Sequence, residues 1–247
     1  MQTKNVDYNV RQSNLYIILY AAGLTIVCGG LLAFAAQGLK EPQERNIAQE
    51  RRENILSTVM DLKKGDNVNA IYDKRVNAFV VDYNGNVKEG VTPGDVNLAA
   101  EYKKPARERL LPVYEFKSED NPEHVESVVF PLFGFGLWDN IWGFVALEND
   151  MNTIKGVKFQ HKGETPGLGA RIVTDEIQSR FKGKKVFEGG DLVSVTIMKG
   201  EGNDYSNDPH KVDGMSGATL TGKGVNNMLK DYLSSYLNYI KKLKANS

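Results

Sequence analysis

The sequence has a single cysteine, Cys28, and only three histidines, His124, His161 and His210. One thiol closes no internal disulfide and holds no iron–sulfur cluster, and the histidines have no metal-ligand spacing. No metal is expected, so any redox chemistry must use an organic cofactor or a partner. An excess of either charge is also missing, since 31 Lys plus Arg balance 31 Asp plus Glu. That leaves no electrostatic footprint for nucleic acid. Prolines number 8 in 247 residues, and the 25% of charged residues are mixed in sign, which argues against long disorder. Internal repeats and low-complexity segments are absent. A dinucleotide fingerprint is lacking too: Gly134-Phe135-Gly136 is not followed by a third glycine at the required spacing before a helix.

One region departs sharply from this average. Residues Leu15 to Ala36 (LYIILYAAGLTIVCGGLLAFAA) carry no charge, and as a helix they would cover about 33 Å, enough for a bilayer core of about 30 Å. A cleaved signal peptide is the competing reading, because Ala33-Phe34-Ala35 fits a small-x-small site. The stretch exceeds the usual apolar core of such peptides, which favours a retained anchor in the lipid bilayer. Tyr16 and Tyr20 stand near its first end as interface aromatics would, and Gly23, Gly29 and Gly30 would admit a neighbouring helix. Cys28, in mid-span, reads as a small packing residue. Lys4 and Arg11 precede the span, whereas Lys40, Arg45, Arg51 and Arg52 follow it, so the count of positive residues would put the following side in the cytoplasm. A first span can act as a signal anchor for a large exported domain, and the side stays open.

The expected organisation is a tail (1–14), a transmembrane anchor (15–36), a helical stalk (37–64) and one soluble α+β domain (65–247) with a mixed or antiparallel sheet. Pro42 begins the charged stalk, with Ile47, Ile55, Leu56, Val59 and Leu62 as its apolar positions, and Gly65 ends it. Asn84-Gly85, between Val80-Val81 and Val87, predicts a type I′ hairpin turn. A helix is expected at Val96 to Tyr102 and another around Thr174 to Lys182. Strand character fills VYEFK, VESVVFPLFGFGLW, IWGFVALEND, TIKGVKFQH and DLVSVTIMKG. Val225, Met228, Leu229, Tyr232, Leu233, Tyr236, Leu237 and Ile240 recur with helical period and predict one long terminal helix.

Three motifs could carry chemistry. Gly134-Phe135-Gly136-Leu137-Trp138, followed by Trp142-Gly143-Phe144, brings glycines and flat rings together as a planar ligand would require. A bulged hairpin with an aromatic core explains the same residues. In His161-Lys162-Gly163-Glu164-Thr165-Pro166-Gly167-Leu168-Gly169, Pro166 and Gly167 form the centre of a type II turn whose bare backbone could meet a heterocycle. His161 reads as a satisfied polar group, and Glu164 also reads as a surface partner of Lys162. Asp213-Gly214-Met215-Ser216-Gly217-Ala218-Thr219-Leu220-Thr221 lies directly before the terminal helix, where free N–H groups and the helix dipole favour a phosphate; capping by Ser216, Thr219 or Thr221 is the alternative.

The string D-G-M-S-G-A-T resembles the sequence that bacterial flavin transferases modify. The resemblance implies FMN joined through its phosphate to Thr219, with Asp213 assisting the transferase. Together with E-T-P-G-L-G and the aromatic G-x-G-L-W segment, in this order from Phe133 to Thr221, it identifies the chain as a member of the FMN-binding domain family. Within that family the chain is most similar to C subunits of sodium-translocating NADH:quinone oxidoreductases, with the G subunits of Rnf complexes as the near alternative. What the resemblance implies is an electron carrier. Leu137, Trp138, Glu164, Thr165, Gly167, Leu168 and Gly169 would surround the isoalloxazine, and Ser216, Gly217, Ala218 and Thr221 would line the phosphate. Other subunits of the membrane complex would bind NADH and quinone and move sodium. The domain would lie outside the cytoplasmic membrane, opposite to the positive-residue count. A cofactor-free, membrane-anchored scaffold, or a noncovalent flavin reductase, remains the contrasting class.

Overall fold

The computed structural model describes residues 14–246; the tail that carries Lys4 and Arg11 lies outside them. The chain divides into two compact units between Ala48 and Gln49. Among the described residues the first consists of helix only, from the element α1 (Asn14–Ser57), whose most apolar window has a mean hydropathy of 2.2 with none of its residues buried by protein. Such a surface is stable in lipid and not in water. α1 runs through Pro42, where a new helix was expected to start, and forgoes only the hydrogen bond that the missing N–H would have made. It also ends earlier than expected, at Ser57 instead of Gly65: amides of Val59 and Met60 both turn back onto the Leu56 carbonyl.

The second unit is built on a five-stranded antiparallel meander. After α2 (Val68–Arg75) come β1 (Val76–Val81), a short α3 (Leu98–Tyr102), β2 (Leu111–Lys117), β3 (Val125–Phe135), β4 (Asn140–Glu148) and β5 (Ile154–His161), the strands neighbours in that order. Both faces are covered. Val128, Phe130 and Leu132 of β3 face one core with Val225, Met228, Leu229 and Tyr236, while the alternate Val129 joins Tyr114, Phe116 and Phe144 beneath Ile55, Leu56 and Val59 from the end of α1. A sheet buried on both sides needs apolar residues at successive positions, which explains the nearly unbroken run VVFPLFGF. Pro131 is tolerated inside it because pairing with β2 stops at Val129.

Beyond β5 regular structure is sparse until the end. A 3-10 turn (Gly169–Val173) leads into α4 (Asp175–Ser179), then come pairs of two-residue strands: β6 (Phe187–Glu188) with β7 (Asp191–Leu192), and β8 (Thr196–Ile197) with β9 (Lys211–Val212). The expected strand over DLVSVTIMKG is broken at Ser194, whose φ of 67° leaves the extended region. The terminal helix is split into α5 (Thr219–Ser235) and α6 (Leu237–Asn246). Hydroxyls of Ser234 and Ser235 bond back to the carbonyls of Lys230 and Asp231, a habit that bends helices. The bend turns Tyr239 inward beside Phe130 and leaves Leu237 half-buried.

The Asn84-Gly85 turn forms with a different geometry. Only Gly85 has positive φ, at 74°, where a type I′ turn needs two such residues, and the amide of Gly85 returns to Asp82 O at 2.9 Å. Gly85 is required by packing as well, since a Cβ there would lie 2.8 Å from the Tyr239 backbone.

Candidate functional site

The turn between β3 and β4, the turn after β5 and the start of α5 meet at one carboxylate. Glu164 is 4% exposed. Its Oε1 accepts the Trp138 amide at 2.9 Å, and its Oε2 accepts a short hydrogen bond from the Thr221 hydroxyl. Two glycines make room for it: a Cβ on Gly136 would stand 2.4 Å from Oε1, and one on Gly169 would stand 2.5 Å from Oε2 and 2.4 Å from the Thr221 hydroxyl. Burial alone would raise the pKa of Glu164. The Thr221 hydroxyl and the amides of Trp138, Asp139 and Leu137 outweigh it and hold the carboxyl below its ordinary value. Lys162 lies 3.4 Å from Asp139 and is thus not the surface partner of Glu164 that the sequence suggested. His161 is a satisfied polar group, its Nδ1 accepting the Glu164 amide at 3.3 Å.

The turn at Pro166-Gly167 has the expected form, with φ of 74° at Gly167 and the Leu168 amide on Thr165 O at 3.1 Å. It presents Thr165, Gly167 and Leu168 to solvent, while Glu164 and Gly169 lie beneath. Leu168 reaches across to the third motif, where a Cβ on Gly217 would meet its Cδ2 at 2.7 Å. Gly217 also has φ of 74°, so glycine is favoured there twice over. Close contact seats α5 as well: Cβ atoms on Gly134 and Gly224 would collide with Met228 and with the Phe135 carbonyl.

This seating separates two threonines only two residues apart. Thr221 is 1% exposed and spends its hydroxyl on Glu164. Thr219, the first residue of α5, is exposed; its hydroxyl makes no hydrogen bond among the described residues, and no side chain caps this end of the helix. Free amides of the first turn surround it. Leu220 at 57%, Trp138 at 69%, Leu137 and Leu168 leave large apolar surface open on the same three segments. An exposed hydroxyl beside a helix N-terminus and flanked by uncovered apolar side chains suits a ligand with a phosphate at one end and a flat heterocycle at the other.

Asp213 is placed differently from the rest. Its carboxylate accepts the Gly202 amide at 2.7 Å and the Asn203 side-chain amide at 3.3 Å. Despite burial, those bonds hold its pKa below the ordinary value. Around it stands a brace that no sequence motif announces. Arg180 donates to the carbonyls of Asp213 and Gly214, Arg171 pairs with Glu176 and Glu201, and Glu201 accepts the amide of Ser216 at 2.9 Å. Arg171 is the main cause that lowers Glu201 to about 2. These residues come from separate segments with no shared spacing; the one local signal is Glu201 between Gly200 and Gly202, both in the left-handed region.

The FMN-binding domain family matches residues 136–234, a span that contains most of the residues just described. The chain is 31% identical over 260 aligned positions to the C subunit of the Na(+)-translocating NADH-quinone reductase of Neisseria meningitidis serogroup B, covering 98% of both chains. It is 34% identical to the corresponding C subunit of Haemophilus ducreyi, over 90% of this chain and 91% of that one. The crystal structure of the C subunit from Parabacteroides distasonis superposes with a TM-score of 0.71 at 32% identity, covering 82% of this chain and 96% of the other. The choice between C and G subunits thus goes to C. The N-terminal apolar helix fits a membrane-anchored subunit, and the chain belongs to the family of C subunits of the Na(+)-translocating NADH-quinone reductase, an oxidoreductase complex.

Proposed function

We propose that the chain is the covalent-flavin electron carrier of that complex, with FMN joined through its phosphate to Thr219. The observation that carries this reading is the contrast between an exposed, unengaged Thr219 and a buried, engaged Thr221. Thr219 Oγ1 loses its proton and gains the phosphorus, so the chain grows by one FMN less one water. The first-turn amides of α5 stand where phosphate oxygens need donors. Leu137, Trp138, Leu168 and Leu220 offer apolar surface to the ring system, with the bare backbone of Thr165 to Gly167 able to meet its polar edge. Ser216 and Gly217 would flank the phosphate, and buried Ala218, Glu164, Gly169 and Thr221 would support the platform from below.

FMN bound there supplies reversible one- and two-electron transfer. The protein's share is to hold the ring without enclosing it, because a carrier must bring its edge close to successive partners, and a covalent tether keeps an exposed ligand from leaving. Donor and acceptor sites for NADH and quinone, and the sodium path, belong to other subunits. The apolar span Leu15 to Ala36 within α1 contains no carboxylate that could serve as an ion relay. The domain after α1 lies on the outer side of the cytoplasmic membrane, where a flavin transferase completes it.

Protein purified from its native membrane, fully denatured and run on a gel, should show flavin fluorescence on its band, and the peptide containing Thr219 should carry the added mass. Thr219→Val should give a dark band with an unchanged fold. A dark wild-type band would leave a scaffold as the reading, and flavin retained by Thr219→Val but lost by Thr221→Val would move the attachment. Protease added to intact spheroplasts should remove the soluble part; protection there would reverse the orientation.

A further inference from the structure

Glu164 is an ionised carboxylate with almost no access to solvent and, among the described residues, no cation paired with it. Burying a charge is costly, so its position calls for an explanation. Its contacts are an amide in the turn between β3 and β4 (Trp138), a hydroxyl in the first turn of α5 (Thr221), and two glycines, Gly136 and Gly169, whose missing side chains define its seat. The three flavin-associated motifs touch through this one group.

We infer that Glu164 is a positioning residue for flavin attachment: by tying Trp138 to Thr221 it sets the first turn of α5 so that Thr219, and not Thr221, meets the transferase. The inference rests on Thr219 being the acceptor. Thr221 is one hydroxyl among two in the segment T-L-T, chemically identical to Thr219. Its hydrogen bond to Glu164 turns it inward and withdraws it from reaction, and the same bond stops the helix start from rotating. The attacking oxygen is thereby pre-placed, and a displacement of about 1 Å is enough to slow a transfer about a hundredfold. The reaction needs an activated phosphate, such as the anhydride of a flavin dinucleotide. The Thr219 Oγ1–P bond forms, the P–O–P bond breaks, AMP departs, and the hydroxyl proton passes to a base of the transferase.

The test uses the full-length chain made in a host without the transferase, then mixed with purified transferase and FAD while covalent flavin is followed on denaturing gels. Thr221→Val keeps the volume and removes the O–H donor; it should slow attachment about tenfold or more, as should Glu164→Ala, the scale of a hydrogen bond to a charged group. Glu164→Gln should recover most of the loss, because its amide can still accept from Trp138 and can donate to Thr221. The double variant Glu164→Ala/Thr221→Val should be no slower than the slower single variant, since the two residues act through one bond. Thermal melts of each protein before transfer separate slow attachment from unfolding, and Thr221→Val decides the matter if Glu164→Ala does not fold. Attachment at the wild-type rate in Thr221→Val, additive losses in the double variant, or no recovery in Glu164→Gln would each overturn the inference. Failure of wild-type protein to acquire flavin would instead count against the proposed function.

Discussion

The sheet layer and the shell that carries Thr219 are held together by different forces. In the sheet, β3 sends successive residues into two apolar cores, and Phe130 packs between Tyr236 and Tyr239 with ring centroids 4.7 and 6.4 Å away. From Glu164 to Thr221 there is little regular structure, and order comes from side chains that bond to backbone: Glu164 on Trp138, Arg180 on Asp213 and Gly214, Glu201 on Ser216, and Asn226 on Ile197. Apolar burial is nondirectional and tolerates drift, whereas a hydrogen bond to a particular amide fixes position to a few tenths of an ångström. Stability therefore resides in the first region, and the placement of Thr219 in the second.

The largest effect that would break this division is in the core. Phe130→Ala should cost about 3–5 kcal/mol, read in urea unfolding, since a fully buried ring leaves a cavity; flavin attachment in the fraction that stays folded should be little changed. Gly169→Ala should do the opposite. Its Cβ would press on both the Glu164 carboxylate and the Thr221 hydroxyl, at a cost of about 1–3 kcal/mol, and covalent flavin yield should fall sharply even in the fraction that stays folded, where Phe130→Ala leaves it little changed. A core variant that abolished attachment while leaving the protein folded would erase the contrast.

Acid provides a milder probe. Glu201 has its pKa lowered from 4.5 to about 2, chiefly by Arg171. A depressed carboxylate contributes stability that is complete above its unfolded value and is lost as pH falls through the folded one, so this contribution should fade between about pH 4.5 and pH 2. Glu201→Gln should flatten that part of the stability profile while leaving the region above it lower and level, as seen by melts across pH. The smallest effect belongs to Lys162→Ala. It removes an exposed pair with Asp139, and such pairs contribute little in water; neither melting temperature nor flavin yield should move.

How much of this is legible in the sequence follows from the range of the interactions involved. The anchor and the apolar face of α5 are readable because their signals are local: a charge-free run in one case, a 3.6-residue period in the other. The glycines at 167 and 217 are visible as loop residues, and both have the positive φ that such loops favour. The bend at Tyr236 is not legible, since the period of apolar residues continues through it and only the serine back-bonds break the helix. Nor is the burial of Glu164, because a carboxylate near Lys162 in a polar turn looks like a surface residue until Gly136, Gly169 and Thr221 close around it.

By itself the sequence determined a membrane-length apolar helix, an α+β domain whose sheet could be mixed or antiparallel, three motifs and their order, all of them properties written within a few neighbouring residues. Tertiary structure decided which motif residues face solvent, which of two threonines is free, and that Arg171, Arg180 and Glu201 brace the loop before α5. Those outcomes depend on contacts between segments as far apart as Trp138, Glu164 and Thr221. Their energies exist only once the chain has brought the segments together, which is why no local pattern foretells them.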